Sequence, residues 1–248
     1  AVCPEHAIDY SYQIDLDKAI RAVDAQVQID ICARTLDPVL CSGISRTGAG
    51  TINGFDNQLT NIGGVKTSGV DVTLTYTSPK LSLGRFRLSS LNSFLGRFDE
   101  KIPSAAGFTS IHRAGQEVGD PEQAYPKFKS TLSVSWAHKD LSANWTTRYI
   151  HSVTEPCRDL AGFPGLCSNP NPVDDSLSTN QLDATVYMNL QLRWMPASFD
   201  RRFDLTLGVN NLLNQDPPPC YSCALNGFDA TTYNVPGVFG YLRAGFVM

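Results

Sequence analysis

Residues Leu182 to Trp194, LDATVYMNLQLRW, place an apolar side chain on every second position without a break. Side chains of a β-strand alternate between its two faces, so this pattern describes a strand with one oily and one wet face. At about 3.3 Å per residue it would run roughly 40 Å, far beyond the usual strand of 5–6 residues. The same alternation recurs at Ile8–Leu16, Val70–Tyr76, Leu132–Trp136, Leu141–Tyr149, Phe203–Val209 and Ala244–Met248. The segment Phe86–Phe98 is less regular, with Ser90 and Asn92 on its apolar side. Counted together, these segments predict about eight strands.

The connections between them alternate in length. Short turns follow Tyr76, Trp136 and Trp194, whereas residues 17–58, 99–126, 152–179 and 214–236 form long connections. Cys32 and Cys41, Cys157 and Cys167, and Cys220 and Cys223 form three local pairs, all within the long connections. Local pairs in polar loops suit disulfides formed in an oxidising compartment. A zinc or redox-dithiol reading is open only for Cys220-Tyr-Ser-Cys223, and it lacks a second such unit. Cys3 has no local partner; it pairs with sequence further upstream or stays a free thiol. Leu16, Ile20, Val23, Val27 and Ile31 recur at helical spacing and predict a short helix ending near Cys32.

Long amphipathic strands with alternating short and long connections are the pattern of an up-and-down transmembrane barrel. Trp136, Trp145, Tyr149, Trp194, Phe203 and Tyr241 lie near strand ends, where aromatic rings suit membrane interfaces. A soluble β-sandwich, a secreted binding module, also alternates, but its strands are usually short. The chain of 248 residues carries a net charge of −4, which points to no nucleic-acid partner. It contains no apolar run long enough for a membrane helix, and its first residues have no signal-peptide pattern.

Catalytic and cofactor motifs are sparse. Gly48-Ala-Gly50 starts like a dinucleotide fingerprint but lacks the third glycine. His6, His112, His138 and His151 are scattered, Asp174-Asp175 reads as hydrated loop acids, and the Asn144-Trp145-Thr146 sequon falls within a strand. No enzyme activity, cofactor or metal is expected.

Three segments carry a resemblance. Gly208-Val209-Asn210-Asn211-Leu212-Leu213-Asn214-Gln215-Asp216-Pro217-Pro218 resembles the penultimate strand of TonB-dependent outer-membrane receptors, roughly G-V-x-N-L-F-D-x-x-P-P. Tyr233–Phe246 is similar to the family's last strand, and Asn61-Ile62-Gly63-Gly64 with Thr67–Val72 to its N-x-G…G-V-E/D-L strand. The ending at Met248 departs from the family's terminal Phe.

The resemblance implies an all-β, antiparallel, up-and-down transmembrane β-barrel. Residues 1–248 would supply the C-terminal eight or so strands of a 22-stranded barrel with long extracellular loops. The plug domain and TonB box would lie outside this chain. It further implies the bacterial outer membrane as location and import of a scarce solute as function: a ferric siderophore, cobalamin or an oligosaccharide. Implied partners are the lipid bilayer, the receptor's own N-terminal barrel and plug segment, the TonB complex and the small-molecule solute. The loop helix and its cysteines suggest the carbohydrate-type branch. Candidate solute contacts are the loop aromatics and cations Phe108, His112, Arg113, Arg158, Phe163, Tyr221, Phe228 and Tyr233. Asp183, Tyr187, Asn189, Gln191 and Arg193 form a lumen-facing row. An eight-stranded barrel closed on itself, with an anchoring or adhesive role, is the alternative within the membrane.

Overall fold

The computed structural model describes residues 5–21, 25–36, 38–56, 60–104, 107–119, 122–157, 167–174, 177–223 and 227–246. Cys3, Arg158, Phe163 and Met248 lie outside them. The elements, in chain order, are β1 (Glu5–Arg21), α1 (Ala25–Thr35), α2 (Pro38–Cys41), β2 (Ile44–Arg46), β3 (Ile52–Phe55), β4 (Thr60–Thr77) and β5 (Arg85–Ser104). There follow β6 (Gly107–His112), β7 (Glu117–Gly119), β8 (Glu122–Ala124), β9 (Phe128–His138), β10 (Leu141–Ile150) and β11 (Val153–Pro156). The chain ends with β12 (Thr179–Leu182), β13 (Thr185–Trp194), β14 (Phe203–Asn210) and β15 (Phe239–Phe246). Eight long strands form one sheet in the order β1-β4-β5-β9-β10-β13-β14-β15, and β6 pairs with β5. Each follows its predecessor among the long strands, which is the meander expected from the sequence. The ribbons β2–β3, β7–β8 and β11–β12 lie in the long connections. No described helix is long and apolar enough to cross a membrane.

The chain divides into two compact units. One comprises Ala1–Ser11, Gly69–Leu95 and Gly115–Met248; the other Tyr12–Ser68 and Gly96–Ala114. In the first, antiparallel register sorts side chains into rows. Leu88, Val134, Trp145, Leu190, Val209 and Gly240 align across six strands on one face. Directly beside them Arg87, Ser135, Asn144, Gln191, Gly208 and Tyr241 align on the other. The apolar face is uncovered: Leu88, Trp145, Leu192, Trp194, Leu207 and Leu242 are all exposed.

Each such side chain gains about 1.5–3 kcal/mol on leaving water. About half of each is still exposed, so the six together would gain roughly 5–9 kcal/mol, comparable to the net stability of a typical domain. A second sheet would cover this face in a sandwich, and among the described residues these six side chains stay exposed. Lipid suits such a face, because the strands between the two edge strands pair with a neighbour on each side and hold their backbone groups in the ladder.

The buried cluster lies instead in the loops. Ala124, Ile150, Val153, Leu182, Tyr187, Cys220, Cys223 and Tyr233 pack together, joining three long connections of the first unit into one body. All three disulfides are formed, with Cα–Cα distances of 5.1 Å for Cys32–Cys41, 5.9 Å for Cys157–Cys167 and 5.4 Å for Cys220–Cys223.

Four local expectations are corrected. The predicted loop helix begins only at Ala25, whereas Leu16 and Ile20 belong to β1. A spacing of four residues returns to the same face in a helix and in a strand, so the two are indistinguishable there. The unbroken strand from Leu182 is interrupted at Asp183-Ala184, and Leu182 turns into the loop cluster beside Tyr187. Trp145 sits in the middle of the apolar face rather than at a strand end. Tyr241 lies on the polar face, where its ring covers Gly208 and leaves no room for a Cβ atom. Gln191 donates to its hydroxyl at 3.0 Å.

Ser90 and Asn92 do stand on the apolar side, but they are paired. Asn92 donates to the Val72 carbonyl at 3.3 Å and to Ser90 at 2.9 Å, and accepts from Ser130 at 2.8 Å. Their polar atoms are therefore satisfied within the sheet.

Candidate solute-facing site

In the second unit the outer half of β5 pairs with β6 in a register that aligns Asp99 with His112, Lys101 with Ser110 and Pro103 with Phe108. Alternation then places Arg97, Asp99 and Lys101 on the same face as Phe108, Ser110 and His112. Asp99 is buried at the centre, bonded to the Arg97 guanidinium and to His112 Nδ1 at 2.6 Å, while the His112 ring itself is exposed. Lys101 Nζ stands 4.6 Å from the centroid of the exposed Phe108 ring. Arg97, Asp99, Lys101, Phe108 and Ser110, with Asp15, Leu16, Gly64, Val65, Lys66 and Thr109, line a cavity of about 210 Å³, and His112 lies outside that lining. Gly64 lies close to β1: a Cβ atom there would lie 3.1 Å from the Leu16 carbonyl oxygen, a tight contact.

Of the predicted contacts, Phe108 and His112 thus share one face. Arg113 lies nearby but is engaged with Glu100 at 2.8 Å and largely covered. Arg158 and Phe163 fall outside the described residues. Tyr221 and Phe228 belong to the loop body of the other unit. Tyr221 is exposed and lines an open cleft of about 480 Å³ with Asn180, Gln181, Asp183, Asp216 and Pro217. Phe228 is half-buried. Tyr233 is buried and packs in the loop cluster, so it supports the loops instead of presenting a ring. Burial pushes its phenol pKa upward.

Sequence reasoning missed Arg97, Asp99 and Lys101. The signal is present as an alternation of charges along one strand, but the expected strand Phe86–Phe98 and connection 99–126 divide these residues between a strand end and a loop.

The loop body also holds three buried acids from distant positions. Glu155 accepts from Asn180 Nδ2 at 2.7 Å and from Ser222 N and Oγ at 2.8 and 2.6 Å. Asp229 accepts from Thr231 N and Oγ1 at 2.7 and 2.6 Å and from Ala124 N at 3.1 Å. Glu117 has no hydrogen-bond partner for either oxygen. Burial first, and then the charges of Asp229 and Glu155, push its carboxyl up to about 8, against a smaller opposing effect of nearby Val118 and Gln123 amides. No sequence signal marks these acids, because each lies in a different connection.

On the polar face of the sheet, Arg85, Arg87, Ser135, Asn144, Gln191 and Arg193 line a groove of about 320 Å³ next to the short turns. Arg193 is paired with Asp204 at 2.6 Å.

No curated protein matches the chain in sequence. Among solved structures it is similar to the outer membrane transporter YddB from Escherichia coli, with TM-score 0.47 and 12% identity over 82% of this chain and 28% of that one. The ferripyoverdine receptor of Pseudomonas aeruginosa gives TM-score 0.47 and 12% identity over 95% of this chain and 24% of that one. The FrpB iron transporter from Neisseria meningitidis gives 0.46 and 16% over 82% and 26%. The chain thus spans about a quarter of the length of these structures. Residues 11–212 match the family model of the TonB dependent receptor-like beta-barrel, and the chain belongs to that outer-membrane family.

Proposed function

We propose that the chain serves in TonB-dependent import of a scarce solute, contributing eight strands and their loops to a larger barrel. The single observation that supports a solute class is the face formed by Arg97, Lys101, His112 and Phe108 around the buried Asp99. Cations next to an exposed ring suit an anionic ligand that carries rings of its own, so a ferric siderophore is favoured over cobalamin. Arg113, held by Glu100, would border this face. The polar groove around Arg85, Arg87 and Arg193 would meet the receptor's plug, through which TonB delivers energy.

A second reading rests on the cleft at Tyr221. Its ring, with the amides of Asn180 and Gln181 and the carboxylates of Asp183 and Asp216, suits an oligosaccharide. Phe228 would extend that surface.

The test is uptake by a receptor-deficient strain complemented with the full receptor or its variants. R97A/K101A is expected to lower uptake of labelled ferric siderophores at least about tenfold, the loss of more than 1.4 kcal/mol of binding, with surface expression unchanged. Unchanged siderophore uptake in R97A/K101A, with loss of growth on an oligosaccharide in Y221A, would move the assignment to the second reading.

A further inference from the structure

Within the buried acid cluster, one group lacks what the other two have. Glu155 and Asp229 are each held by several donors, whereas both oxygens of Glu117 are enclosed without a partner among the described residues. A bare carboxyl in that position is costly. It faces the sulfurs of Cys220 and Cys223, and one Glu117 oxygen and the two Sγ atoms all lie within 4.8 Å of one another. Among the described residues no other trio of His, Cys, Asp and Glu comes together in this way. The arrangement is built tightly: Gly119, two residues along β7, touches the Ser222 backbone so closely that a Cβ atom would not fit. A disulfide sulfur carries neither a proton nor a charge, so the oxidised pair gives the carboxyl nothing to bind. Two thiolates and a cation would.

We propose that Glu117, Cys220 and Cys223 form a latent site for a zinc-class divalent metal ion, opened by reduction of the Cys220–Cys223 disulfide. A dithiol reductant supplies two electrons and two protons, leaving two protein thiols and its own cyclic disulfide. It enters at Cys223, which is 8% exposed, whereas Cys220 is fully buried. The metal ion then displaces both thiol protons and the Glu117 proton, giving a bis-thiolate, mono-carboxylate complex of net charge −1. Cysteine sulfur and carboxylate oxygen are both zinc donor types, and three protein ligands leave the fourth position of a tetrahedral site open to water. The negative charges of Glu155 and Asp229, which disfavour an ionised Glu117 in the empty site, favour a cation there. Tyr233 is buried in the same cluster as Cys220 and Cys223 and contributes no charge of its own.

The test uses the full receptor in detergent, reduced anaerobically with a phosphine, which takes up one water oxygen per disulfide cleaved. Cobalt(II) is then titrated in and read by its thiolate-to-metal charge-transfer absorption. The reduced receptor is expected to show a tight component that is absent from the oxidised form and from C220S/C223S. In E117Q, which preserves side-chain shape, that component is weakened at least about tenfold. Proton release in the same titration is expected to be three per metal ion in the wild type and two in E117Q. This comparison stands even if the double serine variant fails to fold. Equal cobalt binding in the reduced wild type and C220S/C223S, equal binding before and after reduction, or an unchanged affinity and proton count in E117Q would overturn the site.

Discussion

Asn211 explains why the G-V-x-N-L segment has the form it has. It adopts φ 49°, in the left-handed region where Asn is among the few tolerated side chains. Its buried amide accepts from Gln215 N at 2.9 Å and donates to the carbonyls of Gln215 at 2.9 Å and Pro236 at 3.2 Å. One side chain therefore ties both ends of the connection between β14 and β15. Asn211→Ala leaves those groups unpaired and is expected to cost about 2–4 kcal/mol. Denaturant unfolding of the receptor in detergent checks this; a loss below about 1 kcal/mol would mean that the connection is held elsewhere.

Glu117 gives the residue scale its pH dependence in the oxidised protein. Its carboxyl is raised in the folded state from 4.5 to about 8. Between these values the unfolded chain has already released the proton that the folded loops still hold. The loop body therefore loses stability as pH rises from about 4.5 to about 8 and changes little above that from this group. Hydrogen exchange of the loop amides at pH 5 and pH 8 is expected to show faster opening at the higher pH, and E117Q to remove much of the difference.

At the scale of the element, the two faces of β10 offer a direct comparison. Trp145 and Asn144 are neighbours in sequence, yet one belongs to the Leu88–Val134–Leu190 row and the other to the Arg87–Ser135–Gln191 row. If lipid covers the first row, W145R places a charge near the middle of the bilayer and costs about 2–4 kcal/mol. N144R on the polar row is expected to cost well under 1 kcal/mol, as an exposed substitution does. Unfolding of both variants from lipid vesicles measures the asymmetry, and equal losses would count against a lipid-facing Trp145. The short turn at the end of β4 is tied to the start of β5 and the end of β9: Trp136 Nε1 donates to the Leu83 carbonyl at 2.7 Å, and Gly84 turns the chain at φ 111°. At the other end of the strands Phe94 and Phe128 stack at 4.7 Å, with Tyr149 at 5.7 Å from Phe128. From Trp136 to Phe128 is roughly 26 Å along β9, a length suited to a tilted strand crossing the apolar layer.

For the whole molecule, the division of labour between sheet and loops follows from where the oil goes. A soluble domain buries its apolar face against itself, but here that face is turned outward and the enclosed core has moved into the connections. Cys220–Cys223 lies within that core, and Cys157–Cys167 closes the connection that follows β11, whose Val153 belongs to it. Replacing Cys157 and Cys167 by serine is expected to lower the stability of the loop body by about 2–4 kcal/mol while leaving the sheet intact. Limited proteolysis of the intact receptor reads the first effect and resistance of the membrane-embedded strands the second.

The alternation of apolar and polar residues, with short turns set against long connections, by itself determined the strand meander, the separation of its faces and the placing of the cysteine pairs in loops. Those features rest on local geometry: a period of two residues is written along the chain, and a turn is either short or long. The G-V-x-N-L segment was legible for the same reason, since Asn211 is needed by the backbone conformation at its own position. Only the tertiary structure decided that Leu182 leaves its strand for the loop cluster, that Tyr241 covers Gly208 on the polar face, and that Arg97, Asp99 and Lys101 meet Phe108 and His112. It also decided that Glu117, Glu155 and Asp229 converge. Such meetings depend on register and on long-range closure of the connections, and neither is encoded by spacing within a single segment.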